Sequence, residues 1–449
     1  MARAGDSAGA WPFLAGLALG AGAAAAWGSL GRRRRLDPRI VRALPRAQKA
    51  PTMVFVPGLL GSQLLRKDGS VAWLNLGNTL GHHDLSLPRE VPFQSSRDEL
   101  YPGFLIGTDS ALPRAFGFTE YADLLELLDA AGYEPGIGPG PLRYAVYTYD
   151  WRRDLVEAAA GLARRLEGLA HAMDEPDARF HLVGHSMGGL VVRWFLRYGG
   201  AEPNPKARVT WAGARRAASV VLTATPNAGC IAALGAILGG ERVGLSHTTL
   251  ASTVVSRMPS VYQLLPPAEA RPLVDAKGEQ VDGDLHDPAT WERWGWGPFG
   301  SRAEKRLAPE RFFVEAALER ARAFHHGLVR KPDDRAPVPM YALGGDCLLT
   351  LGRAIVGDGP AGSLPRFVAR SPREQDLIFE PGDGRVTRAS VLAAHLGDRD
   401  DPEAHGIPEL SGAFFGSADH HGLFADPAFQ SLLLRLLLRR APSLLARSA

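Results

Sequence analysis

The sequence predicts an α/β fold, with a mostly parallel sheet, helices on both of its faces and a large inserted cap. Short apolar runs bounded by glycine and proline alternate with segments of helical periodicity, an order typical of parallel sheets. This alternation is lost between Cys230 and Pro337, where glycine, proline and a cluster of tryptophans occur. Because irregular loops of about a hundred residues are uncommon inside compact domains, this region is predicted to be a separate cap or lid.

The first predicted elements follow one another from residue 52 onward. Thr52–Leu64, "TMVFVPGLLGSQL", contains a buried strand that enters a glycine-rich turn. Tyr121–Tyr133 has the apolar spacing of an amphipathic helix and is closed by Gly132. Leu142–Leu155 contains a strand that passes into a helix reaching about Met173.

The predicted sheet continues in the second half of the chain. Arg179–Val183 is a short buried strand, and a helix follows it and ends at Gly199. Ala218–Cys230 and Val338–Asp346 contain further strands. The last helix, "FQSLLLRLLLRRAPSLL" from Phe429, is basic and amphipathic. We expect it to pack on the sheet, and a position on a membrane surface is the alternative.

Length and composition limit the number of domains. A chain of 449 residues with 45% hydrophobic content can bury one large core together with a sizeable insertion, or form two domains. The expected division is an N-terminal hydrophobic anchor with a basic stop at 1–35, a linker at 36–50, a first core part at 51–230, a cap at 231–336 and a second core part at 337–449.

Composition also argues against several functional classes. The net charge of +3 is small, and no basic stripe with interleaved aromatic residues occurs, so nucleic acid is not an expected partner. Cys230 and Cys347 lie far apart and form neither a disulfide framework nor a metal quartet. The pairs His82–His83 and His325–His326 lack the spacing of metal ligands and are interpreted as loop residues. Neither a cofactor nor a metal is expected.

The N-terminus differs from the rest of the chain. Ala8–Gly31 is uncharged, and about 20 such residues suffice to cross a bilayer. Trp11 and Trp27 are placed as interfacial anchors, and Arg32–Arg35 follow the apolar segment rather than preceding it. These features favour an uncleaved membrane anchor with the enzyme body in the cytoplasm. An export signal and a soluble leader are the alternatives.

The motif "HLVGHSMGGL" identifies a candidate nucleophile. Ser186 lies between Gly184 and Gly188, after a predicted strand and before a predicted helix. This setting is typical of the nucleophile elbow, which raises a strained serine above the sheet of α/β-hydrolases. Glycines are needed on both sides because strand and helix pack too closely there for side chains. An ordinary strand-to-helix turn is the alternative.

The elbow requires an acid and then a histidine further along the chain. "FEPGDGRVTRASV" offers Asp383 between two glycines, and "GSADHHGLFADPAF" offers two adjacent histidines before the last helix. Their order matches the requirement. A serine hydroxyl becomes nucleophilic when a neutral imidazole accepts its proton, and Asp383 would orient that imidazole. The backbone N–H groups of Met187 and Leu59 are the expected donors to the oxyanion.

The base is assigned by counting along the chain. From His420, the apolar residues Leu423 and Phe424 fall at +3 and +4, one helical turn on. Asp426 then has the position of an N-cap for the last helix. From His421 the same apolar pair falls at +2 and +3, which fits less well. The spacing favours His420 and keeps His421 as the alternative.

Taken together, "VPGLLGSQL", "YDWR", "GHSMGG", "TPNAGC", "EPGDGRV" and "ADHHGLF" occur in the order found in the lecithin:cholesterol acyltransferase-like branch of the α/β-hydrolases. "FGFTEYADLLELLDAAGY" also resembles the segment that precedes "YDWR" in that branch. The resemblance covers residues 52–440 and implies an α/β-hydrolase fold. It also implies an esterase, phospholipase or acyltransferase that acts on lipid esters through an acyl-serine intermediate.

The same resemblance implies roles for particular residues. Leu59 and Met187 would carry the oxyanion hole. Asp150, Trp151 and Trp73 would bind substrate, the first two at the floor of the site. A lipid ester and a membrane surface are the implied partners. The chain departs from the animal members because neither cysteine lies near Trp73 to close a lid, and the cap matches no motif of the family.

The function most strongly indicated is therefore a serine-dependent lipid-ester hydrolase or O-acyltransferase that works through an acyl-serine intermediate on phospholipids or other long-chain acyl esters. Two alternatives stay open at this point. One is a carboxylesterase for small soluble esters, and the other is a membrane-tethered binding protein on a hydrolase scaffold. The intact set of Ser186, Asp383 and His420 argues against the binding protein. The sequence does not distinguish hydrolysis from acyl transfer, since both use the same acyl-enzyme.

Overall fold

The computed structural model describes residues 50–74, 84–91, 93, 98–107, 120–138, 142–243, 246–300, 308–357, 364–397 and 406–438. The predicted anchor, nearly all of the linker, the pair His82–His83 and the end of the last helix lie outside these residues. None of the described helices combines the length and the apolar character needed to cross a bilayer.

A seven-stranded sheet forms the centre of the described part of the chain. From one edge to the other its strands are β16 (Leu410–Gly416), β12 (Met340–Gly345), β8 (Ala217–Thr223), β7 (Phe180–His185), β1 (Met53–Val56), β6 (Arg143–Val146) and β5 (Glu134–Pro135). Every neighbouring pair runs parallel. The predicted mostly parallel sheet is confirmed, and the carboxyl ends of its strands share one edge.

The described residues also form four smaller sheets. The first joins β3 (Val71–Trp73), β2 (Ser62–Leu65) and β4 (Tyr101–Leu105), and the others pair β9 (Glu241–Val243) with β10 (Ser246–Leu250), β11 (Leu273–Val274) with β14 (Ala354–Ile355), and β13 (Leu348–Leu351) with β15 (Phe379–Gly382). The sheet of β2 to β4 and the antiparallel pair of β13 and β15 lie next to the residues predicted for catalysis.

Helices connect and cover these strands. They are α1 (Glu120–Ala130), α2 (Leu155–Ala172), α3 (Met187–Tyr198), α4 (Ala232–Gly239), α5 (Ser252–Val255), α6 (Pro259–Tyr262), α7 (Pro288–Trp294), α8 (Ala308–Val329), α9 (Pro372–Ile378), α10 (Arg388–Leu392) and α11 (Pro427–Leu438). Helix α1 ends as predicted before Gly132, which has a φ of 85°.

Helices cover both faces of the sheet because successive strand residues point in opposite directions. In β1, Val54 and Val56 belong to the apolar cluster that contains α2 and α3, whereas Met53 and Phe55 belong to the cluster that contains α1 and α11. Helix α11 therefore packs on the sheet, as predicted. Asp426 caps it, since its Oδ1 accepts from the Phe429 N–H at 2.8 Å.

The predicted cap contains more regular structure than was expected. Helix α8 packs against α3, where the Phe324 and Trp194 rings stack at 5.1 Å and the Tyr198 hydroxyl donates to the Gly327 carbonyl at 2.8 Å. His325 lies in this helix with its side chain buried, so its interpretation as a loop residue is wrong. The buried residues Phe313, Ala317, Ala321, Phe324 and Leu328 recur at helical spacing, so the apolar period of α8 is present in the sequence. The boundaries between core and cap stay a prediction.

Candidate active site

Ser186 lies at the junction between β7 and α3 in a strained backbone conformation. Its φ is 52° and its ψ is −126°, a region that non-glycine residues rarely adopt and that costs about 1–3 kcal/mol. The Ser186 N–H donates to the Thr223 carbonyl at 2.8 Å, which ties the turn to the neighbouring strand β8. The half-buried serine therefore stands at the carboxyl edge of the sheet, in the geometry expected of an elbow.

The glycines around Ser186 are required by close backbone contact. A Cβ at Gly184 would lie 2.6 Å from the Cα of Gly189 in the following helix. A Cβ at Gly188 would overlap the carbonyl oxygens of Val56 and Pro57. The elbow thus packs directly on the end of β1, and no side chain larger than hydrogen fits at either position.

The structure brings together the three residues predicted for catalysis. His420 Nε2 lies 3.1 Å from Ser186 Oγ, and His420 Nδ1 lies 2.8 Å from Asp383 Oδ2. Asp383 and His420 are both buried, while the neighbouring His421 is exposed. These distances allow Asp383 to hold one imidazole nitrogen while the other accepts the serine proton.

The surroundings of Asp383 keep its carboxylate ionised. Its Oδ1 accepts from the backbone N–H groups of Val386 at 2.7 Å and Arg385 at 2.9 Å. Burial raises the pKa of Asp383, but the charge and hydrogen bond of His420 and these two N–H groups outweigh burial and leave the pKa below its usual value. The acid is thus a stable anionic partner for the imidazole.

Each of these groups leaves the sheet at the same edge. Ser186 follows β7 and His420 follows β16. Asp383 directly follows β15. This strand pairs antiparallel with β13, which comes after β12, and Leu348 in β13 stands opposite Gly382 in β15. The nucleophile, acid and base are far apart in the chain. They form one cluster because parallel strands place their carboxyl ends at the same edge of the sheet.

A tight turn after β1 approaches the nucleophile. We call Gly58–Gly61 the oxyanion turn, since the Gly61 N–H donates to the Gly58 carbonyl at 3.1 Å and closes it. A Cβ at Gly58 would lie 2.9 Å from the Ser186 Cβ. Within the described part of the chain, the Leu59 N–H has no hydrogen-bond partner. Met187 begins α3, so its N–H has no intrahelical acceptor. Both predicted donors are therefore available beside the serine.

Aromatic side chains form hydrogen bonds with the backbone of the oxyanion turn and of the residues next to it. The indole N–H of Trp73 donates to the Leu60 carbonyl at 3.1 Å, and that of Trp151 donates to the Ser62 carbonyl at 3.0 Å. These bonds stabilise Leu60 at a φ of 65°, where glycine is normally preferred. The Tyr149 hydroxyl donates to the Pro57 carbonyl at 3.0 Å. The turn is thus fixed before any substrate binds.

Trp73, Trp151 and Asp150, which are predicted to bind substrate, are buried in the structure. Both tryptophan side chains have no exposed surface, and their rings pack edge-to-face at 5.6 Å. Asp150 is paired with the fully buried Arg152, which also binds Asp98. Their contact with substrate stays a prediction.

Two tyrosines beside the site were not predicted from the sequence. Tyr149 and Tyr121 both bind the backbone beside the oxyanion turn through their hydroxyl groups. Each occurs in a segment whose apolar spacing indicates only burial, so no local signal predicts the polar contact. Among the described residues, no group of three or more histidine, cysteine or acidic side chains is arranged to hold a metal ion.

The sequence profile of the lecithin:cholesterol acyltransferase family matches residues 111–291. The matched segment contains α1, the "YDWR" motif, the nucleophile elbow and "TPNAGC". Over this segment the chain is similar to the lecithin:cholesterol acyltransferase family. The resemblance predicted from the motifs is thereby confirmed. No curated protein gives a sequence match to the chain.

Solved structures similar to this α/β-hydrolase are distant in sequence. A chain in the crystal structure of the Tle4-Tli4 complex is 17% identical, with 88% of this chain and all of that chain (100%) covered and a TM-score of 0.53. The mature form of the Bacillus licheniformis lipase BlEst2 is 14% identical over 88% of this chain and 95% of that chain, with a TM-score of 0.36. EstA from Clostridium botulinum is 14% identical over 90% and 91%, with a TM-score of 0.35. At 17% identity, the similarity to the first of these chains concerns the fold alone.

Proposed function

We propose that the chain is a serine-dependent lipid-ester hydrolase or O-acyltransferase that works through an acyl-serine intermediate. Its proposed substrates are phospholipids or other long-chain acyl esters. The observation that supports this most directly is the continuous contact from Asp383 through His420 to Ser186, at 2.8 and 3.1 Å. The family match supports the lipid-ester class at the level of the family.

The first half of the reaction forms the acyl-enzyme. His420 Nε2 accepts the hydroxyl proton as Ser186 Oγ attacks the ester carbonyl carbon. Negative charge then develops on the carbonyl oxygen, and the N–H groups of Leu59 and Met187 donate to it. Asp383 stabilises the imidazolium that forms without taking the proton itself. When the tetrahedral intermediate collapses, His420 returns its proton to the leaving alcohol, and the acyl group stays on Ser186.

The second half of the reaction decides between hydrolysis and transfer. A water molecule or an acceptor alcohol gives its proton to His420 Nε2 and attacks the acyl carbon. The same two N–H groups stabilise the second oxyanion, and the return of the proton to Ser186 Oγ releases a free acid or a new ester. Both outcomes use the same residues, so the choice depends on which acceptor reaches the site.

A membrane anchor at the N-terminus would be consistent with a lipid substrate. We propose that Ala8–Gly31 anchors the chain in a membrane and that Arg32–Arg35 keep the catalytic body on the cytoplasmic side. An anchored enzyme would meet its lipid substrate at the membrane surface. The test of this anchor is independent of the chemistry.

A serine-reactive fluorophosphonate probe tests the enzymatic mechanism. The wild-type chain should be labelled at one serine, and Ser186→Ala should lose both labelling and ester turnover while unfolding at a similar temperature. Labelling that persists in Ser186→Ala would contradict the assignment of the nucleophile. A wild-type chain that is never labelled would favour a binding protein instead.

The substrate class needs two further measurements. Turnover of p-nitrophenyl esters of increasing chain length, followed across the micellar threshold, should rise with long chains and with micelle formation. A preference for short soluble esters would favour the carboxylesterase alternative. Labelled phosphatidylcholine mixed with a sterol then separates the two outcomes, because hydrolysis yields free fatty acid and transfer yields a steryl ester.

A further inference from the structure

Tyr121 occupies a central position between the parts of the candidate active site. Its side chain is buried, and its ring packs against Phe55 at 5.3 Å and Phe424 at 6.3 Å. The Gly58 N–H donates to its phenolic oxygen at 3.0 Å, and the same oxygen lies 3.0 Å from His185 Nδ1. One hydroxyl group thus contacts the start of the oxyanion turn and the residue before the nucleophile.

The Tyr121 hydroxyl joins the two groups by hydrogen bonds. A backbone N–H can only donate, so the Tyr121 oxygen accepts from Gly58. Which group donates in the contact between Tyr121 and His185 Nδ1 depends on the tautomer of the imidazole. Burial and then the neighbouring His420 lower the pKa of His185 well below its ordinary value and keep the ring neutral. Hydrogen bonds therefore link Gly58 through Tyr121 to His185.

The peptide between Pro57 and Gly58 is held at both ends. Its carbonyl accepts from the Tyr149 hydroxyl and its N–H donates to the Tyr121 hydroxyl, each at 3.0 Å. The next peptide carries the Leu59 N–H that is proposed to meet the oxyanion. Since glycine allows a wide range of φ and ψ, residue 58 alone does not fix this N–H. The two phenols supply the restraint that the glycine lacks.

Contact with Gly61 places the phenol against the other end of the turn. A Cβ at Gly61 would lie 2.9 Å from the Tyr121 oxygen, so the hydroxyl fits against the turn without intervening space. We infer that Tyr121 is a positioning residue whose hydroxyl orients the Leu59 N–H toward Ser186 by linking Gly58 to His185. The role rests on the proposed function, because it concerns the oxyanion of the same ester reaction.

The test is Tyr121→Phe, which removes the hydroxyl and keeps the ring. Turnover per active site, with active sites counted by fluorophosphonate titration, should fall about 10- to 100-fold, somewhat less than for loss of an oxyanion donor. KM should change little, since the lost orientation acts in the transition state. The inhibition constant of a trifluoromethyl ketone, whose serine adduct places an oxyanion in the same hole, should rise by a similar factor.

Tyr198→Phe is the matched control. The Tyr198 hydroxyl is also buried and donates to a backbone carbonyl, that of Gly327 at 2.8 Å, in the contact between α3 and α8. Its loss should lower stability and leave turnover per active site and ketone inhibition unchanged. The comparison separates the loss of a buried hydroxyl from the loss of orientation at the active site.

Two variants of His185 test the linkage from its other end and apply even where Tyr121→Phe fails to fold. His185→Asn keeps an acceptor near the Nδ1 position and should retain turnover per active site within about threefold of wild type. His185→Leu offers no acceptor and should show the same weakened ketone inhibition as Tyr121→Phe.

Normal turnover per titrated site and normal ketone inhibition in Tyr121→Phe would overturn the inference. If Tyr121→Phe does not fold, the same result in His185→Leu would overturn it. Fewer active sites with unchanged inhibition would reveal a purely structural role and would also overturn it. Failure of the proposed function itself looks different, because the wild-type chain would then show neither labelling nor turnover.

Discussion

Asp383 and His420 are joined through their backbones as well as their side chains. The His420 N–H donates to the Asp383 carbonyl at 2.9 Å, alongside the 2.8 Å contact between Nδ1 and Oδ2. The backbone bond does not depend on the charge of the acid. A change in the carboxylate therefore alters the chemistry of the pair while the two loops keep their positions.

Asp383→Asn should consequently lower turnover by about four orders of magnitude without unfolding the chain. The amide favours the wrong imidazole tautomer, so Nε2 no longer accepts the serine proton. Steady-state turnover of a long-chain ester measures the loss, and the thermal unfolding midpoint serves as the control. Turnover near that of wild type would assign the orienting role to another acid.

The two adjacent histidines should differ sharply in their effects. His420→Ala removes the group 3.1 Å from Ser186 Oγ and should lower turnover about a thousandfold or more. His421→Ala changes an exposed side chain and should lower turnover no more than about tenfold. Both variants are assayed on the same ester. The opposite ranking would move the base to His421.

A buried ion pair should stabilise the helix that begins after Ser186. Glu409 pairs with Arg197 and lies 3.9 Å from Arg193, and all three side chains have almost no exposed surface. Glu409→Gln leaves buried guanidinium groups without their counter-charge and should lower the free energy of unfolding by about 3 kcal/mol. Urea unfolding measures this, while turnover per active site stays normal. A loss below about 1 kcal/mol would show that the pair is replaceable.

Buried histidines should make the fold sensitive to mild acid. Burial lowers the pKa of His181 from 6.5 to about 4, and that of His286 and His325 to about 3. Between these values and 6.5 the unfolded chain binds protons that the folded chain does not. Stability is therefore complete above pH 6.5 and falls by about 1 kcal/mol per pH unit and histidine as the pH drops.

Urea unfolding at pH 7, 6 and 5 checks this dependence. His181 Nδ1 lies 2.7 Å from Ser219 Oγ, so His181→Asn keeps a polar group at that position and removes the titration. The variant should show a shallower loss of stability with acid than wild type. Equal slopes for the two proteins would mean that His181 does not contribute to the acid sensitivity.

The proposed anchor predicts where the chain is found in cells. After an alkaline carbonate wash, the full chain should stay with the membrane pellet, and a variant lacking residues 1–35 should be released in active form. Protease added to intact spheroplasts should spare the catalytic body, because Arg32–Arg35 are proposed to keep that side in the cytoplasm. Digestion from outside would reverse the proposed orientation.

Much of the sheet and of the catalytic cluster was predictable because each part leaves a local signal. The elbow combines a short apolar strand, two closely spaced glycines and a helical period. The assignment of His420 used the N-cap Asp426, and the structure places that cap where the sequence indicated. Such signals depend on a few neighbouring residues, so a single sequence reveals them.

Contacts between distant segments were not predictable in the same way. The periodicity of "YADLLELLDAAGY" shows that Tyr121 is buried, but not that its hydroxyl meets Gly58, which is 63 residues away. The spacing of Trp73 and Trp151 likewise gives no information about the carbonyl that each indole binds. Apolar periodicity reports burial, whereas the partner of a buried polar atom depends on the tertiary fold.

The antiparallel strand pair that precedes Asp383 limits where the chain can change length. Strands β13 and β15 each contain four residues and pair from Leu348 opposite Gly382 to Leu351 opposite Phe379. Inserting one residue within either strand would turn the following side chains to the other face and carry Asp383 away from the imidazole. The connection between Leu351 and Phe379 contains β14, which pairs with β11, and α9, which ends at the buried Ile378. Insertions and deletions should therefore be excluded from these two elements as well as from β13 and β15.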